Sequence, residues 1–151
     1  MKERTQKDNS NKIVVRKKVA TKASKKPTRT KLIKKLDVVF SEYIRKRYCK
    51  NGISQCVTCG KKDEWKKLQA GHFISRARYS TRWDEDNVQV QCYRCNVLKS
   101  GEQYLYSLYL GAEKSLELYN KSLEEFKIST HDLEKLIEHY EAINKSKVCF
   151  G

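Results

Sequence analysis

Little in this chain interrupts a regular backbone: it has one proline and six glycines in 151 residues, which excludes collagen-like and Pro/Gly-rich low-complexity architectures. There is no run of about 18 apolar residues, so no bilayer-spanning helix and no membrane partner are expected. Acidic residues are also scarce. Eighteen of them face 33 lysines and arginines, giving a formal charge of +15 and a pI near 9.6. Such a balance points to a polyanionic partner, and nucleic acid fits it better than an acidic protein does. The basic opening segment lacks the apolar stretch of a secretory signal, so a reducing cytoplasm is the expected location. There, the six cysteines read as metal ligands before they read as disulfides.

The length suits one domain with a tail. Residues 1–30, rich in lysine and arginine, read as a disordered basic arm, and residues 31–151 as the folded domain. In "KLIKKLDVVFSEYIRKRY", Leu32, Leu36, Val39, Phe40, Tyr43 and Ile44 recur at spacings of three and four, which predicts a helix with one apolar face. Thr28 or Thr30 can cap it, and Pro27 stops it from extending backwards. "CKNGISQCVTCGKKDEW" is turn-rich. "KKLQAGHFIS" predicts a strand ending near His72, and the alternation in "NVQVQC" predicts its hairpin partner. A short helix is expected from Tyr93 to about Lys99. The remainder reads as helical, with Leu105, Leu108, Tyr109, Leu116, Tyr119 and Leu123 in register and breaks at Gly101 and Gly111. Ser129 or Thr130 opens a last helix whose buried face is Leu133, Leu136, Ile137 and Tyr140.

Cys56-x-x-Cys59 and Cys92-x-x-Cys95 each place two thiolates on a tight turn, and two such turns complete a tetrahedral zinc site. Gly60 supplies the backbone freedom that the first turn needs. Four sulfur ligands leave no open position, so this zinc is expected to be structural. Cys49 and Cys149 have no partner at ligand spacing and read as incidental thiols.

Between the cysteine pairs lie His72 and Asn87, and Asn96 follows the second pair. A hairpin followed by a helix and pinned by zinc can bring His72 and Asn96 together across a small cleft, the arrangement of a ββα-metal nuclease. Phosphodiester hydrolysis needs a water made nucleophilic, and a neutral imidazole can take its proton near neutral pH. It also needs positive charge where negative charge grows, which Mg²⁺ or Mn²⁺ on oxygen ligands provides.

Gly71-His72, Asp86-Asn87-Val88 and Cys92-x-x-Cys95-Asn96 with Lys99 resemble the HNH endonuclease motif. More closely, "KKLDVVFSEYIR", "CVTCGK", "AGHF", "DEDNVQVQC", "CN" and "SG", taken in order, resemble the lambdoid phage NinG family, also called Rap, over about Lys31 to Glu125. The resemblance implies an α+β fold, a small zinc-stabilised ββα-metal core flanked by an N-terminal helix and C-terminal helices. It implies a recombination endonuclease acting on branched DNA such as Holliday junctions and D-loops, in the host cytoplasm and alongside other phage recombination proteins. Carried over, His72 is the general base, Asn87 orients the histidine loop, Asn96 is a metal ligand and the four cysteines hold the structural zinc. Many HNH enzymes place an Asp or His ligand directly before the base, where this chain has Gly71. Asp84, Glu85 or Asp86 then becomes the candidate ligand for the catalytic metal, or His72 itself does.

DNA contacts are expected from Arg76, Arg78 and Arg82 in "SRARYSTRW", from Lys99, and from Arg45 and Arg47 on the first helix. Arginine grips phosphate bidentately, and Tyr79 or Trp83 can stack on an unpaired base, although Trp83 equally suits a small core. The tyrosines from Tyr104 to Tyr140 suit either a core or a homodimer interface. Two other readings fit the sequence: a zinc-stabilised junction-binding protein that does not cut, and an RNA-binding zinc protein.

Overall fold

In the computed structural model, residues 26–146 and Cys149 are described; most of the expected basic arm lies outside them. Helix α1 spans Arg29–Lys46, so it takes in the last two residues assigned to that arm. Thr28 caps it, its hydroxyl accepting from the Lys31 amide at 3.4 Å. The expected apolar stripe is the buried one: Leu32, Leu36, Phe40, Tyr43 and Ile44 lie inside, each contributing about 1.5–3 kcal/mol by its removal from water.

Two small antiparallel sheets follow. Strands β1 (Ile53–Gln55) and β2 (Lys62–Glu64) pair around the first cysteine turn. This hairpin lies in the segment read as merely turn-rich; three-residue strands with mostly exposed side chains leave almost no periodicity to detect. Strands β3 (Gln69–His72) and β4 (Val88–Gln91) form the expected hairpin, with His72 opposite Val88 and Gly71 opposite Gln89. The Val57 amide donates to the Val90 carbonyl at 2.9 Å, joining the cysteine turn to β4. The expected short helix is a single wide turn, Arg94–Leu98, carrying Asn96.

Helices α2 (Gln103–Leu110), α3 (Ala112–Leu123) and α4 (Thr130–Ser146) complete the chain. Gly101 and Gly111 take φ of +88° and +82° at the breaks, a backbone region that costs glycine nothing. Ser129 rather than Thr130 caps α4, accepting from the Asp132 amide at 3.1 Å. α4 packs along α1 through Leu133, Ile137 and Tyr140, with Leu136 partly buried. α2 and α3 behave otherwise. Their buried residues are Tyr106, Leu118 and Ser122, while Leu105, Leu108, Tyr109, Leu116, Tyr119 and Leu123 are exposed. The periodic stripe there is real, but much of it meets solvent. No helix among the described residues is long and apolar enough to cross a membrane.

Candidate active site and metal centre

The two cysteine turns converge. The Sγ atoms of Cys56, Cys59, Cys92 and Cys95 all lie within 4.8 Å of one another, and Cys59 and Cys92 are 3.7 Å apart. A tetrahedron of sulfurs about 2.3 Å from zinc has edges of about 3.8 Å, so the cluster has the size of a zinc site. Burial and the neighbouring Cys59 and Cys92 side chains push the Cys95 thiol up to about 12, against an opposing hydrogen bond from Thr58. Four thiolates in this volume call for a cation. The Thr58 hydroxyl lies 3.2 Å from Cys56 Sγ, and Gly60 takes φ +74° just beyond the turn. These four cysteines could hold a structural metal such as zinc.

A cleft of about 740 Å³ opens between α1, the β3–β4 hairpin and the turn after β4. Among its lining residues are Asp37, His72, Arg76, Arg82, Trp83 and Asn96. The hairpin thus places His72 and Asn96 in one pocket. Half-buried His72 has its Nε2 3.0 Å from the Arg82 carbonyl. A carbonyl only accepts, so Nε2 carries the proton and Nδ1 keeps its lone pair. Burial lowers the His72 pKa from its ordinary value, the Arg82 carbonyl and Asp37 raise it, and Arg76 and Arg82 lower it further. The net shift is downward, so the ring is neutral at neutral pH.

Asn87 is fully buried and does not line the cleft. Its Oδ1 accepts from the Ile74 amide at 2.7 Å, and its Nδ2 donates to the Ile74 carbonyl at 3.0 Å and the Thr81 carbonyl at 2.8 Å. It fastens the 73–87 loop, and with it the carbonyl that holds His72.

The three acidic residues offered as cation ligands are placed elsewhere. Asp84 pairs with Lys121 at 2.5 Å and accepts from the Asp86 and Asn87 amides, and Asp86 pairs with Lys114 at 3.1 Å. Glu85 accepts from Tyr43 and Tyr140 and pairs with Arg47. None of the three lines the cleft; the lysines of α3, about thirty residues away in sequence, have claimed two of them. The carboxylate in the cleft is Asp37, which carries no motif spacing in the sequence to mark it. Its oxygens accept from Arg82 Nε (3.0 Å), Arg82 Nη2 (2.6 Å) and Trp83 Nε1 (2.9 Å). Asn96 donates from its amide nitrogen to Gln69 Oε1 at 2.7 Å, which leaves its own oxygen to accept a hydrogen bond or to ligate a cation. With Asp37 already bonded three times, these residues do not form a ready-made Mg²⁺ cage. Among the described residues, the four cysteines are the one cluster of three or more Cys, His, Asp or Glu ligands.

Gly71 leaves room for the buried Gln91 side chain, which a larger residue there would displace. A Cβ there would run into the amide oxygen of Gln91 and come within 2.8 Å of its Cδ. Strand alternation also turns position 71 to the face opposite His72, so a ligand side chain there would point away from the cleft.

The expected DNA contacts divide. Arg76 and Arg78 are exposed, Arg76 at the rim of the cleft. Arg47 and Arg82 are not free: their side chains are 10% and 14% exposed. Arg47 donates to the Glu85 carbonyl and to Gln89 Oε1, and Arg82 to Asp37 and the Arg76 carbonyl. Arg45 bonds the Ser41 carbonyl and lies over Trp65, and exposed Lys99 pairs with Glu102. Trp83 packs against the core and edge-on to Tyr79.

The fold and cleft define an α+β protein with a four-cysteine cluster that could hold a metal and a cleft lined by a histidine. The family model described as "Bacteriophage Lambda NinG protein" matches residues 1–148, and the chain belongs to that family. No curated protein and no solved structure matches it. Family membership suggests a role connected with phage recombination.

Proposed function

We propose that the protein is a structure-selective endodeoxyribonuclease of phage recombination, hydrolysing phosphodiesters in branched DNA with His72 as general base. The observation that carries this reading is the His72 ring, which lines an open cleft and bonds through Nε2 to the Arg82 carbonyl, leaving Nδ1 as the atom able to accept a proton. A water beside Nδ1 loses its proton to the ring as it attacks phosphorus. Arg76 at the rim is placed to bind a phosphate, and the Asn96 amide offers a polar contact on the opposite wall. Arg78 and the net charge of +15 supply sequence-independent affinity for the DNA backbone. A zinc held by Cys56, Cys59, Cys92 and Cys95 would tie the first cysteine turn to the Asn96 turn.

The test is cleavage of a labelled four-way junction and of a linear duplex by wild type and His72→Ala, with Mg²⁺, Mn²⁺ or EDTA. Cation-dependent cutting of the junction by wild type, lost by a factor of about 10² or more in His72→Ala with affinity retained, is expected. Tight junction binding with no cutting under any condition sinks the nuclease reading and favours a junction-binding protein. The crowded Asp37 carboxylate, and the lack of a preformed acidic cage among the described residues, favour that second reading. Preference for structured RNA over the junction would overturn both.

A further inference from the structure

We infer that Asp37, on α1 and outside the hairpin, is a positioning residue that sets which nitrogen of His72 bears the proton. The carbonyl bonded to His72 Nε2 belongs to the peptide joining Arg82 to Trp83. The side chains on both sides of that peptide are gripped by the one Asp37 carboxylate, Arg82 through two bonds and Trp83 through one. A carboxylate can accept all three, and a bidentate guanidinium pair fixes orientation as well as distance. The peptide is thereby held at a fixed angle to the ring.

The other fastenings of this loop do not replace that grip. Asn87 ties it at Ile74 and Thr81, Arg82 Nη1 ties it at the Arg76 carbonyl, and turn bonds run from the Arg82 amide to the Tyr79 carbonyl at 3.4 Å and from the Asp84 amide to the Thr81 carbonyl at 3.2 Å, none of which holds the Trp83 side chain. Among the described residues, only Asp37 bonds side chains on both flanks of the carbonyl. It does so from the middle of an eighteen-residue helix, a rigid element against which a loop can be indexed. Freed from it, the Arg82–Trp83 peptide can rotate, and the imidazole loses the acceptor that favours Nε2–H. The Nδ1–H tautomer then turns a donor toward the cleft and cannot act as a base.

This inference rests on the nuclease reading for its consequence, but the tautomer can be measured without it. Imidazole-labelled protein, with zinc bound, is compared by ¹⁵N NMR as wild type, Asp37→Asn and Trp83→Phe. Asparagine presents an N–H to one of the Arg82 donors, while phenylalanine removes a single bond and keeps the packing. Wild type is expected to show the Nε2–H form. Asp37→Asn should show a substantial Nδ1–H population, and Trp83→Phe a smaller one. Junction cleavage should fall about tenfold or more in kcat for Asp37→Asn, with KM changed less than about twofold, because the base and not binding is lost.

If Asp37→Asn does not fold, the graded change in Trp83→Phe carries the test. A pure Nε2–H signal in both variants overturns the inference, even if both melt at lower temperature, since a purely structural role would leave the tautomer untouched. Loss of Mn²⁺ binding by EPR in Asp37→Asn with the tautomer unchanged also overturns it and makes Asp37 a ligand. A wild type that cuts nothing yet shows the expected tautomer shift sinks the nuclease reading alone.

Discussion

Asn87 commits its whole amide to the loop it closes, and no water can replace those bonds in a fully buried position. Asn87→Ala leaves the Ile74 amide and two carbonyls short of partners and opens a small cavity, so a loss of about 2–4 kcal/mol in urea unfolding is expected, with faster amide exchange across the 73–87 loop. His72 gives a second expectation. Its pKa is lowered below the ordinary 6.5, first by burial. Cleavage should rise with pH through that lowered value and level off by neutrality, as a rate profile of wild type will record. The stability contribution has the same sign: it is complete above the unfolded value of 6.5 and is lost as pH falls from there through the folded pKa. The types of these residues were legible in sequence because chemistry restricts them. Their partners were not: nothing local to Asp84 and Asp86 shows that Lys121 and Lys114 will claim them, and nothing local to Asp37 shows that a loop 45 residues on will bring Arg82 to it.

At the scale of elements, the apolar period of α1 and the alternation of β4 gave their boundaries within a few residues. The β1–β2 hairpin was invisible because its order comes from the cysteine turn between the strands and not from its own side chains. It follows that metal removal should be felt there first. One zinc per chain is expected by elemental analysis. A strong chelator, or Cys92→Ser, should abolish it and lower the melting temperature by more than about 10 °C, the β1–β2 signals vanishing before those of α1. Melting unchanged by chelation would remove the zinc from the account. α2 and α3 show the limit of periodicity, which reports that a face is apolar and not that anything covers it. Tyr104 is 74% and Leu108 61% exposed, while Tyr106 between them is buried and donates to the Gly71 and Asn87 carbonyls.

For the molecule as a whole, the excess of positive charge sets the expected salt dependence. Arg76→Ala with Arg78→Ala should weaken junction binding and reduce the slope of log affinity against log salt by about two, read by fluorescence anisotropy over a salt series. Arg47→Ala should instead appear as lost stability, because it leaves the buried Gln89 side-chain oxygen without its donor.

The pairing of α1 with α4 has a consequence for how the molecule comes into being. Arg29 bonds the Ile128 carbonyl, and Asn144 donates to the Val39 carbonyl at 2.9 Å, so the first helix finds its partner in the last. A chain growing from the ribosome holds α1, the cysteine turns and the histidine loop long before α4 exists. Until α4 is made, the face of α1 that it covers, where Phe40 meets Tyr140, stays bare, and α1 is held only by the β3–β4 hairpin and the turn at 65–67. Synthesis order therefore works as a timer: α1 gains its α4 packing only once residues 130–146 have been made.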